Sequence, residues 1–343
     1  LAKVLTLQGK SVRLVRNITD IDDKIINTAE NLGVQWHEVS NKYAQENTEL
    51  MLKTGLQVPE QPKASEYLPD IFKLIQSLID LDLAYISKNS DVLYKVSAYQ
   101  GQLLMQHKEG SLLSEQGQSG VTTEEKLDNR DFALWKSMPE DAVGFESPWG
   151  WGRPGWHIEC SAMINALFGG SVTIHGGGVD LKFPHHQSEI MQSEPVNGKP
   201  LAKVWIHNGS VLSAGQKMSK SLGNFVLWQD ALDQANSVVA GLGADLLRYT
   251  MLQTHWQKPL DWSQYLLETN KQALFKVFKA IPAAIETYVT AEGVNSVLEE
   301  LDNNFNTPGL FVWIQKQAQL KRFDLVASAF SVLGFNLKEW QKA

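Results

Sequence analysis

The sequence predicts an α/β protein with a mainly helical C-terminal part, and three stretches support this prediction. Residues 1–26 have the pattern of a helix, a strand and a second helix. Another short strand is expected over 171–174, between two helical segments, and the apolar periodicity of 230–343 is mostly helical. Because helices that alternate with strands cover a parallel sheet, we expect a parallel-sheet domain followed by a helical bundle.

The elements of the first half are predicted from local signals. A first helix stops at Gly9-Lys10, Val12 and Leu14 alternate with polar residues as in a strand, and turn residues over 17–20 precede the next helix. Further along, the patterns predict amphipathic helices over 27–56 and 66–84, a β-hairpin made by 83–86 and 92–96, and a polar surface loop over 106–130.

The second half begins with a change in composition at 147, where glycine and tryptophan cluster. A helix is expected to follow and to end near 168. Gly176, Gly177 and Gly178 then predict a tight turn after the strand at 171–174. The next helix is predicted to begin at Pro184, since proline is favourable at the first helical position.

Composition excludes several classes of protein. The chain has 343 residues and a formal net charge of −7, so it is not a globally basic nucleic-acid binder, and any RNA contact must come from a local patch. Cys160 is the single cysteine, which excludes an internal disulfide and favours a reducing compartment such as the cytoplasm. No apolar run has the length of a membrane span, and no signal peptide is visible.

A lysine-rich string, Lys217–Asn224, is the strongest local signal for chemistry. It contains Lys217 and Lys220, three residues apart, with Ser219 and Ser221 between and after them. Two ammonium groups on a flexible loop can stabilise the negative charge that develops on a polyphosphate during phosphoryl or nucleotidyl transfer. The alternative for such a string is a solvated surface loop.

Cys160, His185 and Glu189 form a second candidate site. Thiolate, imidazole and carboxylate are accepted zinc ligands, and three protein ligands leave a position open for substrate. His185 and Glu189 are four residues apart and therefore share a helix face. The alternative is that Cys160 is a small buried apolar residue and His185 a histidine of the core.

Several longer strings resemble those of cysteinyl-tRNA synthetases, which are class I aminoacyl-tRNA synthetases. Lys217–Ser221 resembles the lysine loop of that class. The other matching strings are Val15–Lys24, Gly155–Met163, His175–Leu181, Phe183–His186 and Trp205–Gly209, with a weaker match at Phe305–Pro308. The resemblance runs in order along most of the chain. It departs at Asn303 and Asn304, where the family usually has Asp.

The resemblance implies a two-step reaction in which cysteine and ATP, with Mg²⁺, give cysteinyl-adenylate, and the acyl group then passes to cysteine tRNA. It implies zinc held by Cys160, His185 and Glu189, with the thiolate of substrate cysteine bound to that zinc. Zinc favours sulfur over oxygen, which would separate cysteine from serine without editing. The residues implied for the amino-acid pocket are Thr19, Trp156, His175 and Asp180, and those implied for ATP and catalysis are Gly176, Gly177, Gly178, Lys217, Ser219, Lys220 and Ser221.

The family pattern also implies a division of the chain into five parts. These are a first Rossmann-like part over 1–55, a connective insertion over 56–145, a second catalytic part with the zinc site over 146–212, a lysine-loop and stem-contact region over 213–265, and a helical tRNA-binding bundle over 266–343. Family members carry a His-x-Gly-His string and a C-terminal anticodon module, and the 343 residues contain no His-x-Gly-His string. We therefore expect impaired ATP activation if these 343 residues are the whole polypeptide.

Two other functions remain compatible with these strings. One is a related ligase that activates cysteine in the same way and transfers it to an amino-sugar, although the long helical tail favours tRNA. The other is an inactive cysteine- or RNA-binding homologue that lacks the activating half. The sequence does not determine the oligomeric state, for which a monomer is the expectation, and it predicts no membrane partner.

Overall fold

The computed structural model describes residues 1–104, 126–218, 222–282, 284–340 and 342. They cluster into two compact units, one made of Leu1–Leu14, Glu46–Pro59 and Asn208–Ala343, and the other of Val15–Gln45 and Glu60–His207. We call them the bundle unit and the sheet unit, respectively. Most of the loop predicted over 106–130 lies outside the described residues.

Both helices and strands occur in the first two thirds of the chain, and helices dominate the rest. The helices are α1 (Ala2–Leu7), α2 (Asp23–Leu32), α3 (Trp36–Lys53), α4 (Leu68–Asp80), α5 (Trp156–Phe168), α6 (Gln187–Asn197), α7 (Trp228–Val238), α8 (Gly243–Leu252), α9 (Gln264–Lys279), α10 (Ala291–Leu301), α11 (Thr307–Gln319), α12 (Phe323–Leu333) and α13 (Leu337–Trp340). The strands are β1 (Ala84–Ile86), β2 (Val92–Tyr94), β3 (Phe132–Ser137), β4 (Gly152–Pro154), β5 (Val172–Gly178), β6 (Ala202–Asn208), β7 (Val211–Ser213), β8 (Gln216–Lys217) and β9 (Leu260–Trp262).

The sheet unit contains a four-stranded antiparallel sheet in the order β1-β2-β3-β4. Its first two strands form the hairpin predicted from the sequence. Helix α4 buries Ile71, Leu74, Ile75 and Leu78 at helical spacing in the same apolar cluster as Trp135 of β3. Helix α5 adds Ile158 to that cluster, so the fold fixes the helix that carries Cys160 against a rigid core.

A second sheet, made of the two paired strands β5 and β6, also belongs to the sheet unit. One prediction at β5 is wrong. The strand continues through Gly176, Gly177 and Gly178, which were expected to form a turn. The helix predicted from Pro184 does follow extended backbone at Phe183; its first turn belongs to the irregular π-helical segment Lys182–His186, and the regular helix α6 begins at Gln187.

The strand predicted at Val12 and Leu14 is also wrong. These two residues have no strand partner among the described residues, and Leu14 is 37% exposed. Parallel pairing begins three residues after Val12, with isolated bridges from Val15 to Glu60 and from Ile18 to Lys63. The alternation of apolar and polar residues does not determine where the chain meets its neighbour.

The bundle unit combines helices α7 to α13 with a three-stranded sheet in the order β8-β7-β9. Its apolar cluster includes Leu246, Leu274, Val297, Ile314 and Phe330, each from a different helix and each at most 1% exposed. The helical region predicted over 230–343 is therefore confirmed. Within the part of the chain that the structure describes, every helix is too short or too polar to cross a membrane.

Candidate metal and substrate site

Helices α5 and α6 and the turn before α6 bring Cys160, His185 and Glu189 together. Their ligand-type atoms all lie within 4.8 Å of one another. His185 comes from the π-helical turn and Glu189 from the first turn of α6, so the two residues face the same side. The Glu189 side chain is fully buried and that of His185 is 6% exposed. The structure therefore gathers the three predicted ligands into one enclosed cluster.

The two carboxylate oxygens of Glu189 each lie near a different histidine. Its Oε2 lies 2.7 Å from Nε2 of His175 on β5, and its Oε1 lies 3.3 Å from Nε2 of His185. Oε1 is buried without a hydrogen bond of good geometry. A buried carboxylate oxygen in this condition is unfavourable unless a cation or a proton lies beside it. The donor set and this oxygen therefore fit a zinc ion held by Cys160, His185 and Glu189.

The charges in the cluster follow from burial and from these contacts. Burial, together with the neighbouring carboxylate of Glu189, raises the pKa of the Cys160 thiol well above its ordinary value. Burial alone would raise the pKa of Glu189, but His175 and His185 hold it below its ordinary value. Burial opposes protonation of His175, yet the Glu189 carboxylate raises its pKa. Without a cation, the cluster thus holds a neutral thiol beside an ionised carboxylate.

Three further histidines extend this cluster, and the sequence argument did not assign them. Nδ1 of His157 lies 2.8 Å from Nδ1 of His185, and Nδ1 of His186 lies 2.8 Å from Nε2 of His207. A bond at Nδ1 leaves Nε2 of His185 facing Glu189 and fixes the ring that would bind the metal. The signal was present in the sequence, since His157, His186 and His207 all lie within the strings that carry the family resemblance.

A second group of possible ligands shares Glu189. His175, His186 and Glu189 also have ligand-type atoms within 4.8 Å of one another. This set lacks sulfur, and its His175 is already hydrogen-bonded to the carboxylate. Because sulfur and imidazole together match the preference of zinc, the set with Cys160 is the better candidate for the metal, and His175 is placed as the partner that orients Glu189.

Of the predicted pocket residues, Trp156 is in contact with the cluster. Its ring centroid lies 4.5 Å from that of His185, and it remains 50% exposed. Thr19 is half-buried and accepts a 3.5 Å hydrogen bond from Nδ2 of Asn17. Asp180 is exposed in the 3₁₀ turn Val179–Leu181, which directly follows β5. The structure therefore brings Trp156 and His175 to the candidate metal ligands and leaves Asp180 in the exposed turn that follows the strand.

The glycines at the end of β5 allow close approach by neighbouring side chains. A Cβ at Gly178 would lie 2.3 Å from Oδ1 of Asp180, and one at Gly177 would lie 2.9 Å from Cε1 of His186. At Gly178 the exposed Asp180 side chain could move away, whereas at Gly177 the ring of His186 is buried. Glycine is therefore favoured by local packing at 177, in addition to any nucleotide contact.

The lysine string belongs to the bundle unit. Lys217 is exposed at the end of β8, and Met218 packs against the apolar cluster of that unit. The predicted site residues Ser219, Lys220 and Ser221 lie outside the described residues. The structure thus describes the base of this loop and its first lysine.

Comparison with known proteins identifies the class. Residues 1–272 match the family of tRNA synthetases class I (C) catalytic domains, and the chain belongs to this family. A methionyl-tRNA synthetase of Mycobacterium tuberculosis, solved with methionyl-adenylate, is similar in fold, with a TM-score of 0.63 at 14% identity over 97% of this chain and 84% of that chain. This likeness confirms the predicted fold class, a Rossmann-like α/β domain followed by a helical region.

The more similar curated relatives are particular members of that class. A Cysteine--tRNA ligase of Geobacter sp. (strain M21) is 40% identical over 88% of this chain and 65% of its own length. One of Maridesulfovibrio salexigens is 41% identical over 88% of the chain and 60% of its own length. One of Coxiella burnetii (strain Dugway 5J108-111) is 37% identical over 94% of the chain and 69% of its own length. The chain thus spans roughly two thirds or less of the first relatives it matches.

Proposed function

We propose that the chain carries the cysteine-activating part of a cysteine–tRNA ligase. The reaction is the ATP-dependent formation of cysteinyl-adenylate with release of pyrophosphate, followed by transfer of the cysteinyl group to the 3′ end of cysteine tRNA. The observation that carries the proposal is the enclosed trio of Cys160, His185 and Glu189. The relatives named as Cysteine--tRNA ligases support it, as does the class I family to which the chain belongs.

The trio supports recognition of a thiol. Zinc, when bound there, would supply a thiophilic Lewis acid that lowers the pKa of a thiol and prefers sulfur to oxygen. Cys160, His185 and Glu189 would hold the ion, while His175 orients Glu189 through their 2.7 Å contact. Trp156, beside His185, would cover the substrate side chain and exclude water.

The remaining site residues are proposed for the nucleotide and for the rest of the amino acid. Thr19 and Asp180 would complete the cysteine pocket, with the carboxylate of Asp180 facing the substrate ammonium. Backbone N–H groups at Gly176–Gly178 would approach the adenylate. Lys217, with Ser219, Lys220 and Ser221, would bind ATP with Mg²⁺ and stabilise its triphosphate as pyrophosphate leaves.

The division of labour along the chain is proposed on the same basis. Residues 1–55 and 146–212 would form the catalytic domain, 56–145 the connective insertion, 213–265 the lysine loop with the stem-contact region, and 266–343 the bundle that binds tRNA. We place the protein in the cytoplasm as a monomer. The reducing compartment keeps Cys160 available as a metal ligand.

Two assays on the 343-residue chain test the proposed function. Cysteine-dependent exchange of pyrophosphate into ATP measures activation, and charging of cysteine tRNA measures transfer. We expect whatever exchange this chain supports to depend on cysteine and to be much weaker with serine, which differs from it by one atom. Transfer to an amino-inositol acceptor but not to tRNA would contradict the tRNA assignment. Cysteine binding without exchange in a longer form that carries the His-x-Gly-His string would contradict the activation step.

A further inference from the structure

The base of the lysine loop is a short β-hairpin made by β7 and β8. Ser213 pairs with Gln216, which leaves Ala214 and Gly215 as a two-residue turn. Both turn residues have positive φ, 52° at Ala214 and 72° at Gly215. Two positive φ values define the turn type that suits a two-residue hairpin. The hairpin ends at Lys217, the first lysine of the loop.

This turn is weak by its own sequence. Asn-Gly and Asp-Gly are the favoured pairs for this turn, because Asn and Asp tolerate the left-handed conformation. Alanine at the first position has a Cβ that disfavours this conformation. The hairpin therefore needs support from outside the turn to present Lys217 in one place.

The support comes from Asp261 on β9. Its Oδ1 accepts a 2.9 Å hydrogen bond from the backbone N–H of Gly215. Strand β9 itself pairs in parallel with β7, so that Leu212 lies opposite both Lys217 on one side and Asp261 on the other. Lys217 and Asp261 thus flank the central strand in one cross-strand row, with their backbones about 10 Å apart at the usual strand spacing.

The strand that carries Asp261 is itself fixed. The N–H of Gly209 donates to the carbonyl of Trp256, and the N–H of Leu260 donates to that of Ser210. A Cβ at Gly209 would lie 2.2 Å from the carbonyl oxygen of Lys258, so the two chain segments touch through their backbones. Asp261 therefore presents its carboxylate from a rigid strand to the turn.

We propose that Asp261 is a positioning residue that holds the Ala214–Gly215 turn and thereby presents Lys217 to the polyphosphate of the nucleotide. The role of Lys217 rests on the proposed function; the support of the turn rests on the geometry alone. A carboxylate near a polyphosphate site is electrostatically unfavourable for that ligand. Its presence here is explained by its acceptor oxygen and not by its charge. Asparagine at 261 would supply the same acceptor without the charge.

The first test measures the turn itself. Asp261→Ala removes one hydrogen bond to a backbone N–H, which predicts about tenfold faster hydrogen exchange of the Gly215 amide. Asp261→Asn should exchange like the wild type. Asp261→Ala combined with Ala214→Asn should recover slow exchange, because Asn-Gly stabilises the turn without outside support. Glu299→Ala, at an exposed position of α10 in the same unit, is the matched control and should leave hydrogen exchange of the Gly215 amide unchanged.

The second test measures the consequence for the ligand. The affinity of the full chain for magnesium pyrophosphate is measured by calorimetry. It should fall several-fold in Asp261→Ala and recover in the double variant. In Asp261→Asn it should be unchanged or up to about twofold higher. Unchanged Gly215 exchange in Asp261→Ala overturns the proposal. So does faster exchange with unchanged pyrophosphate affinity. If Lys217→Ala binds pyrophosphate as well as the wild type, the proposed function of the lysine fails, while the exchange data still decide whether Asp261 holds the turn.

Discussion

Asp245 on α8 ties the C-terminal segment to the rest of the bundle unit, and its removal is predicted to release that segment. Its Oδ2 accepts hydrogen bonds from the backbone N–H of Asn336 at 2.7 Å and from Nε1 of Trp340 at 2.9 Å. Its Oδ1 lies 3.1 Å from the guanidinium of Arg248, and the two side chains are only 8% and 12% exposed. Arg248 in turn donates to the carbonyls of Thr54 and Gly334.

The expected magnitude follows from these contacts. Asp245→Ala removes two hydrogen bonds to a charged group and leaves Arg248 nearly buried without its counter-ion. Breaking a buried pair by removing one partner destabilises by about 3–5 kcal/mol. At 1.4 kcal/mol per factor of ten, this loss lowers the free energy of local opening enough to speed exchange of protected amides by roughly 10²-fold to 4 × 10³-fold.

Hydrogen exchange at the amides of Asn336 and Trp340 is the assay, because it reads this segment separately from the sheet unit. Asp302→Ala is the control, because the side chain of Asp302 makes an exposed hydrogen bond with Gln8. Losing that bond should change the free energy of unfolding by no more than about 0.5 kcal/mol. The double variant Asp245→Ala, Arg248→Met should lose less free energy of unfolding than the sum of the losses in the two single variants. Acceleration below tenfold in Asp245→Ala would refute the assignment of Asp245 as the anchor.

Three other predictions concern the rest of the molecule. Gly209→Ala should lower the free energy of unfolding by about 1–3 kcal/mol in urea denaturation, because its Cβ would lie 2.2 Å from a backbone oxygen. Gly176→Ala is the control and should be tolerated, since the nearest atom to its Cβ would lie 3.4 Å away. Equal stability of the two variants would contradict the close contact at Gly209. His175→Ala should weaken zinc binding about 10–100-fold in a chelator competition, because it frees the Glu189 carboxylate; unchanged affinity would remove His175 as its partner. Free zinc at about 100 times its Kd should stabilise the sheet unit by about 2.7 kcal/mol in thermal unfolding, and chelation should reverse this; no shift would contradict a site formed in the folded protein.

The ligand trio shows what sequence reasoning could reach. The spacing of His185 and Glu189 predicts a shared face even though the turn between Lys182 and His186 is irregular. Cys160 could not be joined to them by spacing, because α5 and α6 are separated by strand β5. Its assignment as a ligand rests on the family resemblance, and the structure places its Sγ within 4.8 Å of their ligand-type atoms.

The errors have a common physical cause. Val12 and Leu14 alternate like a strand, but alternation says nothing of which segment lies alongside, and the chain pairs later, at Val15. The glycines at 176–178 were expected to turn the chain, since glycine is common in turns. In the fold they remain in β5, where the side chains of His186 and Asp180 occupy the space a Cβ would need. Both features depend on neighbours distant in sequence.

The central claim is that Cys160, His185 and Glu189 hold zinc in a site that selects a thiol. X-ray absorption at the zinc edge of the metal-loaded 343-residue chain tests it most directly, with Cys160→Ser as the matched variant. The account predicts one Zn–S distance of about 2.3 Å from Cys160, a second sulfur on addition of cysteine, and no change on addition of serine. Zinc bound without sulfur, or a spectrum that cysteine leaves unchanged, would contradict it.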